Sequence, residues 1–365
     1  MLIILTVLSL CSCQKYPYEA EYTELGVPLE NYYGGGIERN VWDIEYFDDM
    51  LFIGSGDYDK NKGPVQMCCY DLKEEKWEAN ELLPDEQIER FFVFDDKLYA
   101  AGCDPKGNWD YGNFYAFENG KWKTYNTIPG GIHNFDMIKF EGKIFAGLGV
   151  AEGNTPIVCT EDRKEWQPIY LYKNGKLCET DKSEHIRVYD FFTLDDTLYA
   201  YFYVNDQKEI YRFDGDKFVY HSDMLSNVNF RANTYNHICQ KAEFKGKQYL
   251  STGILYKTEN MKNSENIELG DNVTVTDIKV INNTLYLLCN EKIVTEDMNE
   301  EFRISVMKSK NGKRFTEIFY FNYPVRALCF TYNDKHFYFG MGYGINAQRE
   351  YAENGMVLSV EKTAS

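Results

Sequence analysis

The stretch from His133 to Gly149, HNFDMIKFEGKIFAGLG, decides the fold because the chain says it more than once. A polar start leads into an apolar run. A two-residue turn follows, and a second apolar run opens on an aliphatic residue and an aromatic. ERFFVFDDKLYAAGCD (Glu89 to Asp104) and RVYDFFTLDDTLYAYFY (Arg187 to Tyr203) are built the same way. The turn pair occurs as Asp48-Asp49, Asp95-Asp96, Glu141-Gly142, Asp195-Asp196, Lys245-Gly246, Asn282-Asn283 and Asn333-Asp334, spaced by 37 to 54 residues. In every copy an aromatic sits four residues after the first member: Phe52, Tyr99, Phe145, Tyr199, Tyr249, Tyr286 and Phe337. Polar pairs between alternating apolar runs are hairpin signals.

A second hairpin follows in most copies, and a bulky aromatic opens its last strand: Trp77, Trp122, Trp166, Phe218 and Phe315. Each repeat therefore reads as a four-stranded antiparallel meander. Such a sheet cannot bury both of its faces alone, so neighbouring repeats must stack, and a period of about 40–50 residues with four strands per unit points to a ring around an axis. The opening aromatics are expected to wedge between neighbours. The seventh copy runs out of chain before its fourth strand. The segment Tyr22 to Pro28, YTELGVP, is similar to the ends of other fourth strands and is expected to complete that sheet, which protects the ring's edges.

On these residues the chain, over about 18–362, resembles the β-propeller superfamily: all-β, seven-bladed, with four-stranded antiparallel blades and the last blade closed by an N-terminal strand. Thr160-x-Asp162 with Trp166, and Ser309-x-Asn311-Gly312 with Phe315, resemble degenerate Asp-boxes, and YDLKEEKW (Tyr70 to Trp77) resembles the outer strand pair of kelch-type blades. The resemblance implies the fold and a binding face at the blade-to-blade connections, and it leaves function to the site.

Composition agrees with pleated sheet. The chain of 365 residues is 44% hydrophobic and 16% aromatic, with 30 Tyr and 24 Phe. A net charge of −18 argues against nucleic acid as a partner, since phosphate neutralisation supplies most of that affinity. The first residues, MLIILTVLSLCSCQK, resemble a bacterial lipoprotein signal with Cys13 as the lipidated residue. The expected organisation is a signal peptide over residues 1–13 and a single domain over 14–365, exported to the cell envelope or secreted, reaching a membrane only through that anchor, and monomeric. Of ten Cys, none forms a C-x-x-C pair, so zinc spacing is absent. Disulfide pairing cannot be read from spacing. Asp57-x-Asp59-x-Asn61 imitates a calcium loop but has Gly63 one place late and Cys68 at the twelfth position.

The innermost strand of a propeller lines the axis. Five residues before each turn pair stand Asp43, Arg90, Asp136, Asp190, Gln240, Asp277 and Leu328, and nearby positions add His133, Arg187, His185, His237 and Arg326. Polar groups at equivalent positions should converge, either as a wet channel or as a pocket. Loops on the same face carry Tyr58, Trp109 and Tyr111, whose rings suit stacking on sugar C–H surfaces. Three functions compete: a non-catalytic binder of a glycan or protein ligand, a purely structural scaffold, and a polysaccharide lyase or glycoside hydrolase. Resemblance to uronate-eliminating propellers implies for the last a base or a divalent metal at His133, His185 and His237, with Arg187 pairing the carboxylate. The binder, on the loop face near the channel, is the expected function.

Overall fold

A computed structural model describes residues 17–57, 59–107, 109–149, 155–178, 186–204, 207–223, 240–294, 300–343 and 352–362. The described chain is strands joined by turns, with almost no helix. The turn pairs explain the meanders. At six of the seven, from Asp48-Asp49 to Asn282-Asn283, both residues take positive φ. That is the two-residue hairpin turn whose twist matches the strands it joins, and Asn, Asp and Gly tolerate it best. The seventh turn differs: the Asn333 side-chain oxygen accepts the N–H groups of Lys335 and His336 at 2.9 and 2.8 Å.

Five sheets stand separately as blades. Three are plain four-stranded meanders that begin at Asp43–Phe47, Phe91–Phe94 and Gln240–Glu243. The fourth begins at Val273–Ile281 and gains Tyr18–Glu19 as a parallel fifth strand against Thr316–Tyr323. The fifth consists of Arg326–Tyr332, His336–Gly342, Val357–Glu361 and, on its outside, Thr23–Gly26. The two remaining repeats, where separate blades were expected, lie within one twelve-stranded sheet. In it the strands His133–Phe140 and Lys143–Gly149 meet Ile186–Leu194 through the pair Gly149↔Arg187. The short strands Asp85–Gln87 and Cys103–Pro105 extend that sheet on the other side, with Cys103 opposite His133.

The expected N-terminal closing strand is present, with Thr23 opposite Ser359 and Gly26 opposite Val357. The wedge aromatics explain how neighbours hold together. Trp122 meets Phe52 of the preceding repeat edge-on at 5.7 Å, and Trp166 meets Phe114 of its predecessor at 5.6 Å. Phe218 does the same with Phe145 at 6.4 Å. Trp77, in the first repeat, has the closing segment behind it, and its indole N–H donates to the Leu25 carbonyl at 2.6 Å. Each ring is large, mostly apolar and placed where two sheets would otherwise leave a gap. The seven described cysteines, Cys68, Cys69, Cys103, Cys159, Cys178, Cys289 and Cys329, are free thiols inside or beside these layers. Among the described residues no helix is long and apolar enough to cross a membrane.

Closure by Thr23–Gly26 makes a prediction. Removing residues 1–16 should leave the melting temperature unchanged. Removing residues 1–27 takes away the Leu25 acceptor and bares the edge of Val357–Glu361; it should lower the midpoint by several degrees and promote aggregation, read by calorimetry and light scattering.

Candidate functional site

The polar residues that open the inner strands do converge, and mainly on the next blade's backbone. Asp43 accepts the Ile44 N–H on its own strand at 2.9 Å and the Phe91 N–H of the following repeat at 2.8 Å. Asp136 accepts the Phe191 N–H at 2.7 Å. Asp277 accepts Ile278 N–H at 2.7 Å and Phe330 N–H, across the boundary, at 2.9 Å. A carboxylate with two oxygens can serve both strands at once. In the strands carrying Asp136, Asp190 and Asp277 the pairing register shifts immediately before the aspartate. That extra residue re-aims the side chain, as β-bulges do.

Charge compensation follows. Arg90 lies 2.8 Å from Asp190 and 3.3 Å from Asp136. Lys241 bridges the same two carboxylates, 3.1 Å from Asp190 and in close contact with Asp136. Burial works against the Arg90 charge, but Asp190 and Asp136 more than offset it and hold its pKa above the ordinary arginine value. A second group comprises Asp43, Glu45, Asp277 and Lys279, with Lys279 3.4 Å from Glu45. Here burial pushes the Asp277 carboxyl up to about 7. One group sets two cations against two anions, and in the other Asp43 and Asp277 are satisfied by backbone donors. Lys241, Glu45 and Lys279 were not singled out from the sequence. Glu45 and Lys279 stand two residues after Asp43 and Asp277, on the same strand face, so the period of two was the available signal.

The bulges also create the site with chemical potential. Their extra residues, Phe135 and Tyr189, stand side by side at 4.8 Å. The His133 ring stacks on Phe135 at 5.2 Å and an interplanar angle of 8°. The Arg187 guanidinium lies 6.0 Å from the Phe135 ring centre, and one of its N–H groups reaches the Tyr189 hydroxyl at 3.4 Å. His133 Nδ1 is 3.0 Å from Asp104 Oδ1 and 3.4 Å from Cys103 Sγ. His133 and Asp104 both keep 18% of their side-chain surface exposed. Burial, then Glu86, push the Asp104 carboxyl up to about 7 against the pull of Arg187. Deeper in, Asp85 accepts from Asn113 at 2.8 Å and from the Tyr115 hydroxyl, and burial takes it to about 7 as well. Cys103 is no ready nucleophile, because burial raises its thiol well above the ordinary value. The group can therefore orient an imidazole, offer a guanidinium on an aromatic face, and gain or lose a proton at Asp104 near neutrality.

The sequence-derived candidates divide accordingly. His133 and Arg187 come together. Asp43, Arg90, Asp136, Asp190 and Asp277 belong to the charge groups and the blade contacts. Arg326 lies elsewhere, with its guanidinium 5.2 Å from the Phe302 ring centre. Trp109 and Tyr111 are 57% and 47% exposed, and the Trp109 indole N–H donates to the Pro105 carbonyl at 3.1 Å, on the strand that carries Asp104. His185, His237, Tyr58 and Cys13 lie outside the described residues. Among the described residues no group of three or more His, Cys, Asp or Glu is arranged to hold a metal ion. Asp104 was missed by sequence reading; its signal was its place beside Cys103, at the end of a repeat's second strand.

With this geometry, likeness to known proteins is informative about fold alone. No protein-family model matches the chain. No curated protein matches it either. Among solved structures it is similar to selenomethionine-substituted virginiamycin B lyase from Staphylococcus aureus: 12% identity, 94% of this chain and 100% of that chain covered, TM-score 0.58. A catalytically inactive variant of that lyase with quinupristin gives 11% identity over 94% and 100% of the two chains, with a TM-score of 0.57. A chain of the mitotic checkpoint complex gives 8% identity over 100% and 99%, with a TM-score of 0.51. Together with the strand order, these likenesses define the chain as a β-propeller.

Two predictions follow from the charges. Asp136→Ala strands Arg90 and Lys241 beside Asp190 and removes the acceptor for Phe191, so it should cost about 3–5 kcal/mol in denaturant unfolding. Asp85, Asp104 and Asp277 all have folded pKa values near 7, above the ordinary carboxylate range of about 4. The folded state holds protons that the unfolded chain gives up, so this stability is complete below pH ~4 and is lost as pH rises through 7. His221 opposes the trend: burial depresses its pKa, and its contribution grows as pH rises. Three groups outweigh one, so the melting temperature should fall between pH 5 and pH 8, and Asp104→Asn should flatten that fall.

Proposed function

We propose that the chain is an exported propeller that binds a glycan at the group formed by His133, Asp104 and Arg187, with Trp109 and Tyr111 as the flanking stacking surfaces. The reading counts seven blades: the five separate sheets plus the two meanders joined in the twelve-stranded sheet. It takes the Thr160, Ser309 and Thr258 turns, where a hydroxyl and a following Asp or Asn side chain accept successive backbone N–H groups, as Asp-box-like and structural. The observation that carries the proposal is the mixed chemistry of one small region. A cation on an aromatic face, a partly exposed imidazole and a carboxyl near its titration midpoint can donate to and accept from sugar hydroxyls or a sugar carboxylate. Exposed rings on the adjoining loop supply apolar area for C–H stacking.

Binding is measured on a glycan array with protein lacking residues 1–13, followed by titration of any hit. Arg187→Gln and Trp109→Ala should each weaken a genuine glycan ligand about tenfold or more, with the circular dichroism spectrum unchanged. Retained affinity in both variants would remove this region from the binding site. Metabolic labelling with a radiolabelled fatty acid tests the anchor, since label should enter the wild-type chain and be absent from Cys13→Ser.

A second reading has its own support. His133 held by Asp104 is the arrangement of an oriented base, and virginiamycin B lyase, to which the fold is similar, is a lyase by name. On that reading a polyuronate incubated with the protein gains ultraviolet absorbance from the unsaturated product, and His133→Ala abolishes the gain.

A further inference from the structure

The segment Asp57-x-Asp59-x-Asn61 lacks the ending of a twelve-residue calcium loop, but the chain closes it into a shorter ring. It follows the second strand of the first repeat, Met50–Gly54. The Lys62 N–H donates to the Asp57 carbonyl at 3.1 Å, and Asn61 turns the chain between them with a φ of +53°. The ring stands on a fixed base. The Gly56 N–H donates to the Glu38 carbonyl and the Asp57 N–H to the Glu86 carbonyl, each at 3.0 Å. The Trp42 indole N–H donates to the Gly56 carbonyl at 2.8 Å. From outside, Lys106 Nζ donates to the Asn61 carbonyl at 3.3 Å and lies 3.0 Å from Glu86.

The Asp57 carboxylate is the anomaly of this ring. It is 1% exposed, and neither oxygen meets a hydrogen-bond donor in good geometry. Burial raises its pKa; the ammonium and the N–H of Lys60 oppose that rise, and the charges of Asp59 and Glu38 add to it. Lys60 and Asp59 belong to the ring itself, so the carboxylate faces its own loop. The Lys60 ammonium stays 3.9 Å away and is 58% exposed. A buried carboxylate is ordinarily hydrogen-bonded or held against a closer cation. A proton would serve one oxygen and leave the other bare. Calcium takes carboxylates through one or both oxygens and gathers them from alternate residues of a tight loop. Asp59 and Asn61 are those alternate residues, and both are exposed.

We propose that the ring binds a calcium ion through the side-chain oxygens of Asp57, Asp59 and Asn61. Two carboxylates and one amide are fewer acidic ligands than a three-membered His, Cys, Asp or Glu cluster, of which the described residues hold none. Main-chain carbonyls and water complete shells of this kind. So few charges imply weak binding, with a dissociation constant of about 10⁻⁴–10⁻³ M. The site is separate from the His133 group and does not depend on the reading given for it.

The test uses the full chain, stripped of metal with a chelator and titrated with calcium chloride in a calorimeter. Saturation should raise the melting temperature by a few degrees, and the chelator should reverse the rise. Magnesium, which demands a near-octahedral shell, should bind at least about tenfold more weakly. Asp59→Ala and Asn61→Gly alter exposed side chains, and glycine accepts the positive φ at residue 61. Each should weaken calcium about tenfold while melting as the parent does in chelator. Asp57→Asn should abolish the titration and, by removing an uncompensated buried charge, melt no lower than the parent in chelator. Terbium in place of calcium should emit when Trp42 is excited, and Trp42→Phe should lose most of that emission and keep the calcium heat. The proposal is overturned if calcium gives neither heat nor a melting shift, if the heat persists in Asp57→Asn and Asp59→Ala, if magnesium binds as tightly, or if Trp42→Phe emits as the parent does.

Discussion

One carboxylate shared between two blades is the contact on which the rest of the structure depends. A propeller blade holds together internally through ladder hydrogen bonds, and only single bridging pairs such as Gly149↔Arg187 carry a ladder from one repeat to the next. Apolar packing supplies most of that cohesion and is indifferent to small slips. The inner-strand aspartates fix the slip. Asp43, Asp136 and Asp277 each accept a backbone N–H from the following repeat, at Phe91, Phe191 and Phe330. A buried donor left unmade costs more than the bond contributes when made, so one register is selected. The bulge before the aspartate is the local price of this arrangement, and it is also what sets Phe135 and Tyr189 beside each other as the base for His133 and Arg187.

Much of this was legible in the sequence. The turn pairs announced themselves because a two-residue hairpin turn demands positive φ twice, and Asp-Asp, Asn-Asn and Glu-Gly are among the few pairs that comply. Trp77, Trp122 and Trp166 could be assigned to blade junctions because nothing else explains a recurrent large ring at the same point of a meander. The closing strand could be found because the last repeat lacked a partner. The joining of two repeats into a single sheet could not be foreseen: it rests on one bridging pair, Gly149↔Arg187, and on short strands at Asp85–Gln87 and Cys103–Pro105 that carry no alternation to detect.

The candidate site was legible only in part, and for a physical reason. Counting back from a turn identifies residues at equivalent heights on equivalent strands. It found the aspartates, Arg90, His133 and Arg187. It could not say which of two faces a side chain takes after a bulge, since one inserted residue reverses the alternation. Nor could it supply Asp104 and Lys241, whose equivalents in other repeats are mostly apolar. Arg326 shows the converse: it stands only next to the counted positions, Leu328 and Val325, and its guanidinium lies over Phe302.

The blade that joins the two ends of the chain has a mechanical side. Thr23 lies opposite Ser359 and Gly26 opposite Val357, so the free ends of both strands emerge at the same end of their short ladder. A force drawing the two termini apart loads that ladder as a zipper, one hydrogen bond after another, where a sheared ladder would share the load among all of them. A chain held by its first residues and tugged by its last would therefore release Tyr18–Glu19 from Thr316–Tyr323 and then open this seam, leaving the other blades stacked.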